Sequence, residues 1–378
     1  RCQGRDRLRQ TAAAIDEMGD SRPEDIQRKE AAFRAEQSNY DFQKAWDLAN
    51  LWCAAFVIPK RFPASASEIS NLKSQVVATL DAQPLATQGG LFGGTEELPK
   101  AKGKKAKAPR RTDSENAIGI TTQHLRNFVE NGTLPEGLLP EAKRLAAQYQ
   151  FFHFHLAFPE VSAQGGFDCV LGNPPWERVK IQEKEWFAIR APQIAEAPNA
   201  AARRRLISAL TQDQPELYRE YQDALRQAEG ESHLLRNTGR YPFCGRGDIN
   251  LYTVFAEGMR TLLNEYGRAG AVLPTGIATD DTTKFFFQDV VEKKSLVSLF
   301  DFENRLGLFP DVDSRMKFAL FTVGRGLRPS AASAAFVFFA HAVEDLRDPT
   351  RRFTLTAAEI ALLNPNTRIL ARKIIDQV

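Results

Sequence analysis

Apolar residues fall into two rhythms along this chain, and the second half carries both clearly. Phe167-Asp168-Cys169-Val170-Leu171-Gly172 is a short, nearly continuous apolar run, which predicts a buried strand. Leu251, Val254, Phe255, Met259, Leu262 and Leu263 follow i, i+3, i+4 spacing, which predicts a helix that opens near Gly247-Asp248 and stops before Gly267. Ala269 to Pro274 again reads as a strand. A helix capped by Thr279 or Asp280 follows, carrying Phe285, Phe286, Val290 and Val291. Leu296 to Phe302 and Lys317 to Val323 read as strands flanking a loop from Glu303 to Met316. This alternation predicts an α/β fold, a doubly wound sheet ending in an antiparallel pair.

The first half is less regular. Pro23 to Ile58 reads as helical, charged at first and then apolar through Trp46 and Leu51-Trp52-Cys53. His153 and His155 alternate with phenylalanines, so a strand would put both on one face; no third ligand accompanies them, and no metal site is expected. From about Gln83 the pattern is lost among prolines, glycines and the basic run Lys100, Lys102, Lys104, Lys105, Lys107, Arg110 and Arg111. The domain boundaries expected are a helical segment over 1–82, a basic flexible linker over 83–116, a core over 117–330 and the start of a following region over 331–378. A helical insert at 177–246, with Arg203-Arg204-Arg205 and a helix near Pro215 to Leu235, interrupts the core.

Composition narrows the class. At 378 residues, 43% hydrophobic and 26% charged, the chain has enough apolar surface for a large core. A net charge of +3 means that any nucleic-acid contact comes from local patches, not from a global field. No apolar run reaches roughly 18 residues and no signal peptide is visible, which points to the cytoplasm. Cys2, Cys53, Cys169 and Cys244 lack zinc-like spacing. Asp248 is suited to cap the helix that follows it.

The candidate chemistry lies just beyond the first strand. Asn173-Pro174-Pro175-Trp176 begins where Gly172 ends, and two successive prolines forbid helix and fix a rigid turn. An amide side chain is thereby placed at the carboxyl end of a strand, where open α/β sheets hold ligands. These four residues resemble the catalytic signature of amino-group methyltransferases. From about Phe167 to Val323 the chain resembles N6-adenine DNA methyltransferases of the gamma arrangement, on Asn173-Pro174-Pro175-Trp176, Asn250-Leu251-Tyr252 with Phe255 and Glu257, Gly267-Arg268 leading to Val272-Leu273-Pro274, and Leu308-Phe309-Pro310.

That resemblance implies the C-terminal half of a Rossmann-like class I methyltransferase fold with helical insertions. It implies S-adenosyl-L-methionine as cofactor, double-stranded DNA as substrate, and a restriction or defence subunit or fused domain as partner. An adenine N6 lone pair is delocalised into the ring, so two acceptors must take its hydrogens: the Asn173 Oδ1 and the Pro174 carbonyl, with Pro175 stiffening the turn. Trp176 and Phe309 would stack on the extruded base, and Phe255 would pack on the cofactor's adenine. The glycine-rich cofactor loop of the family has no match, because Gly89-Gly90-Leu91-Phe92-Gly93-Gly94 follows no apolar strand. The chain therefore reads as an internal piece of a larger polypeptide. Methylation of RNA guanine or protein glutamine, and a non-catalytic DNA-binding module keeping the fold, are the alternatives.

Overall fold

The structure, a computed structural model, describes residues 3–58, 119–326 and 333–363; the basic segment 83–116 lies outside the described residues. In the first half the long helical stretch is two helices, α2 (Pro23–Gln37) and α3 (Tyr40–Val57), preceded by α1 (Gln3–Asp16). The break falls at Ser38-Asn39 because the Asn39 Oδ1 accepts the Asp41 amide at 2.9 Å and starts a new helix. α4 (Thr122–Asn131) and α5 (Leu138–Gln148) pack on α3 through Leu51, Ala54, Val57, Phe128, Ala142 and Leu145.

His153 and His155 are not on a strand. His153 precedes the short helix α6 (Phe154–Ala157), which is followed by α7 (Pro159–Ala163), so the two-residue alternation has no strand to act on. His153 is buried and its Nε2 donates to the Asn50 Oδ1 at 2.8 Å, tying this segment to α3. Among the described residues no group of His, Cys, Asp and Glu could hold a metal ion.

After the first strand the insert forms α8 (Glu183–Arg190), α9 (Pro192–Ala195), α10 (Ala200–Asp213) and α11 (Pro215–Asn237). It has its own small core of Phe187, Ile194, Ile207, Leu210 and Tyr221. α11 is moored to α3, with the Arg226 guanidinium donating to the Val57 carbonyl at 2.9 Å.

The described strands form one mixed sheet. They are β1 (Phe167–Gly172), β2 (Leu263–Pro274), β3 (Leu296–Glu303), β4 (Lys317–Gly324), β5 (Ser333–Ala340) and β6 (Phe353–Thr356), in the order β1-β2-β4-β3-β5-β6. β1 and β2 are parallel, and β4 lies between β2 and β3 antiparallel to both. β5 then continues the sheet parallel to β3, and β6 closes it antiparallel. The fold is α/β and Rossmann-like. The antiparallel element expected at the end of the sheet sits inside it, and residues after 331 add two strands to the same sheet.

Helices cover one face. α12 (Leu251–Thr261), α13 (Gly276–Thr279) and α14 (Lys284–Glu292) bury Val254, Met259, Ile277, Phe286, Phe287, Val290 and Val291 against Ala271, Leu273, Leu299 and Phe321. α15 (Ala357–Leu363) adds Ile360. Phe285, expected on this apolar stripe, points away and is exposed, because the fully buried pair is Phe286-Phe287. Register places Val272, Leu320, Phe300, Phe318 and Phe302 on the opposite face. There the cover is thinner: Trp176, Phe309 and Leu346 border Phe302, Phe318, Val337 and Ala340 at the carboxyl end. Leu171 of β1 is 78% exposed among the described residues.

Candidate active site at the carboxyl end of the sheet

The turn after β1 is fixed from both sides. Pro174 is buried while Asn173 and Pro175 are exposed. Downstream, the Leu251 amide donates to the Glu177 carbonyl at 2.8 Å and the Val179 amide to the Ile249 carbonyl at 3.1 Å. Arg178 also bridges Asn250 across this short pairing, and its guanidinium lies 3.1 Å from Asp248. Asp248 is therefore an ion-pair partner, not the helix cap expected of it; Asn250 holds the cap position of α12, without a side-chain cap bond. Trp176 is half-buried over β2, with its indole N–H donating to the Val272 carbonyl at 3.3 Å. Among the described residues, no hydrogen bond engages the Asn173 side chain or the Pro174 carbonyl. Both acceptors are free to meet a donor from outside.

Phe309 reaches the same end of the sheet from the loop between β3 and β4. Its ring meets Phe318 edge-on, centroids 5.0 Å apart, and it remains partly exposed. Trp176 and Phe309 border one apolar cluster on one face of the sheet, without touching each other. The loop is organised by Asn304, which is fully buried. The Asn304 Oδ1 accepts the Phe309 amide at 2.9 Å, while Nδ2 donates to the carbonyls of Phe309 at 2.9 Å and Val312 at 2.8 Å. Sequence reading passed over Asn304. Its signal was there: an asparagine three residues before Gly307, whose φ is +67°, is a residue type that bonds its own local backbone in turns.

Phe255 stands on α12 as the exposed residue of an otherwise buried stretch, 45% accessible. It shares a helix face with Met259, four residues on, and the Met259 methyl lies against Gly172 at the end of β1. Phe255 thus flanks the Asn173 turn on the helix-covered side, away from Phe309. Glu257, by contrast, is buried: it accepts the amides of Phe243 at 3.2 Å and Cys244 at 2.8 Å, and so shapes the loop before α12. Burial raises its pKa against the lowering effect of those two amides. Burial also pushes the Cys244 thiol well up, which leaves it an inert packing residue.

Two further carboxylates lie under the site. Asp301 is fully buried, with its Oδ1 accepting the Thr275 hydroxyl at 2.5 Å and its Oδ2 the Phe339 amide at 3.3 Å. Burial raises its pKa, and the Thr275 hydroxyl opposes that rise. The network fixes the exit of β2 relative to β3 and β5. Glu303, one alternation further, is held low by Lys317, which lies 2.9 Å away.

Residues 48–205 match the model of the Eco57I restriction-modification methylase family. The matched stretch contains Asn173 to Trp176 and ends before Phe255 and Phe309. No curated protein matches the chain. Among solved structures, the type I restriction-modification system methyltransferase subunit from Streptococcus thermophilus is similar at 12% identity and a TM-score of 0.28, over 36% of this chain and 34% of that one. The chain thus spans about a third of that subunit's length. Among the described residues, no helix is long and apolar enough to cross a membrane.

Proposed function

We propose that this chain carries the target-base half of a DNA methyltransferase active site, transferring a methyl group to adenine N6 in double-stranded DNA within a restriction-modification or defence system. The observation that carries the reading is the pair of acceptors without hydrogen-bond partners among the described residues, the exposed Asn173 side chain and the carbonyl of buried Pro174, at the carboxyl end of β1, flanked on one sheet face by two half-buried aromatic rings. The family model over 48–205 supports the methylase class. DNA and a restriction subunit or domain are the partners proposed on that basis.

The chemistry follows from what an exocyclic amine requires. Its two hydrogens donate to the Asn173 Oδ1 and the Pro174 carbonyl, which draws the nitrogen toward tetrahedral geometry and frees its lone pair. The turn is anchored through Glu177, Val179 and Trp176, so the acceptors need little reorganisation as charge develops, the condition under which fixed dipoles lower a barrier most. Extruding a base from the duplex costs roughly a few kcal/mol. Stacking against the rings of Trp176 and Phe309 offsets part of it. S-adenosyl-L-methionine, when bound, supplies the electrophilic methyl group. Exposed Phe255, one helical turn from the Met259 that meets Gly172, offers an apolar aromatic surface that fits the adenine of such a cofactor. The methionine-binding loop of that cofactor is proposed to reach the site along the free edge of β1, where no strand pairs among the described residues.

Asn173→Ala tests the reading. In the intact protein it should abolish incorporation of tritiated methyl groups into DNA, while a gel-shift titration shows DNA affinity within a few-fold of the parent. Normal turnover in the variant removes Asn173 from the mechanism and the reading with it.

A further inference from the structure

The β3–β4 loop that presents Phe309 also borders, with the strand ends that flank it, a basic notch. It is an open hollow lined by Glu303, Arg305, Ser314, Arg315 and Lys317. Glu303 is its organiser. The Oε1 of Glu303 takes Lys317 at 2.9 Å, and its Oε2 takes the Arg305 Nε at 2.7 Å with the His341 Nε2 at 3.5 Å. Lys317 is also steered by Phe339, whose ring it overlies at 4.3 Å. Arg315 is held by Asp313 at 2.7 Å.

These pairings orient the cations without exhausting them. Arg305 spends its Nε on Glu303, so the two terminal nitrogens of its planar fork face outward, and its side chain is 67% exposed. Arg315 is 89% exposed. Three permanent cations stand against two carboxylates, which leaves one unbalanced positive charge in the notch. A phosphodiester carries one negative charge. It also presents two oxygens to a guanidinium fork, the geometry that arginine recognises best.

We propose that Arg305 and Lys317, both paired to the Glu303 carboxylate, together with Arg315, held by Asp313, seat one backbone phosphate of the nucleic-acid substrate at the carboxyl end of β3, on the sheet face opposite the Phe309 ring. This deepens the reading of Phe309 as a base-stacking residue and rests on it. Asn304 links the two roles, since it is the residue between Glu303 and Arg305 and its side chain fixes Phe309. A ring on one sheet face and a phosphate seat on the other, linked through one rigid loop, position the DNA strand as backbone contacts do, without reading sequence.

The experiment measures duplex binding by fluorescence anisotropy across a salt series, with no cofactor present. In Arg305→Ala/Arg315→Ala, affinity should fall several-fold at low salt, and the slope of log affinity against log salt should lessen by about 0.9, the value for one lost phosphate contact. Asp313→Asn, which releases Arg315 from its partner, should tighten binding. Arg204→Ala/Arg205→Ala on α10 removes the same charge from an exposed surface elsewhere and should cost much less. Equal losses from the two pairs reduce the effect to net charge and overturn the seat, as does an unchanged slope in the first pair. The measurement needs no methyl transfer, so its failure is separate from a failure of the Asn173→Ala assay.

Discussion

A loop residue holds its ring only as firmly as the loop is held. Asn304 satisfies one amide and two carbonyls of its own loop from a fully buried position. Asn304→Ala should therefore lower stability by about 1–3 kcal/mol, the range for buried polar groups left without partners, as read by urea denaturation. It should also mimic Phe309→Ala in base extrusion. With 2-aminopurine at the target, both variants should lose the fluorescence rise that marks an unstacked base. Phe309→Ala should lose roughly 1–3 kcal/mol of binding on matched DNA and less on a target facing a mismatch, because less unstacking then remains to be offset. Equal loss on both substrates makes Phe309 a core residue. That Phe309 lies in a loop between two strands was legible from sequence; Asn304 was not, since its value depends on three backbone groups that only the folded loop brings together.

Elements add constraints that single residues do not show. β1 and β2 lose register between Phe167/Leu263 and Cys169/Arg268, so β2 carries extra residues there and Gly267 ends the irregularity against the Phe167 carbonyl. A methyl group at 267 would collide with that backbone oxygen, which cannot swing aside. Gly267→Ala should thus separate the strands and destabilise the protein by about 1–3 kcal/mol, the usual cost of overpacking, measurable as a lowered denaturation midpoint. At the α3–α6 junction the balance is set by charge. Burial, and to a lesser degree His155 and Arg240, lower the His153 pKa from 6.5 to about 4. The unfolded chain then binds the extra proton between those values. Stability should be full above 6.5 and fall as pH drops from 6.5 toward 4, by up to about 1.4 kcal/mol per pH unit. Urea midpoints measured either side of 6.5 should converge in His153→Gln; a parent midpoint that does not move over this window means that His153 titrates normally. The strands and the α12 stripe were visible in sequence as periodicity. The histidine junction was misplaced there, because two-residue alternation over five residues does not distinguish a strand from the approach to a helix.

At the scale of the molecule, the sheet is unevenly clothed. Parallel strands are normally covered on both faces and flanked on both sides, because their unpaired amides and carbonyls and their apolar side chains otherwise meet water. β5 and β6 carry the sheet well past β3, whereas among the described residues β1 ends it with an unpaired backbone edge, Cys169 exposed and Leu171 78% exposed. The proposed acceptor pair, the two rings and the basic notch all lie among the described residues. The glycine-rich loop that such sheets use for a methionine moiety is the part proposed to approach along the edge of β1. Sequence made this division visible through what it contained as well as what it lacked: Asn173-Pro174-Pro175-Trp176 is a local motif, compact enough to be read in one dimension, while the sheet order that brings Phe309 to Trp176 comes from β4 folding back between β2 and β3. The two halves of the chemistry should therefore separate experimentally. The 378-residue chain should bind duplex DNA with the salt dependence of its basic notch, yet bind S-adenosyl-L-methionine very weakly and show no turnover alone. Titration calorimetry decides it, with the nucleotide and the cofactor titrated separately. Micromolar affinity for the cofactor in this chain alone would place a complete cofactor site within its residues and refute the assignment of the methionine-binding loop to the free edge of β1.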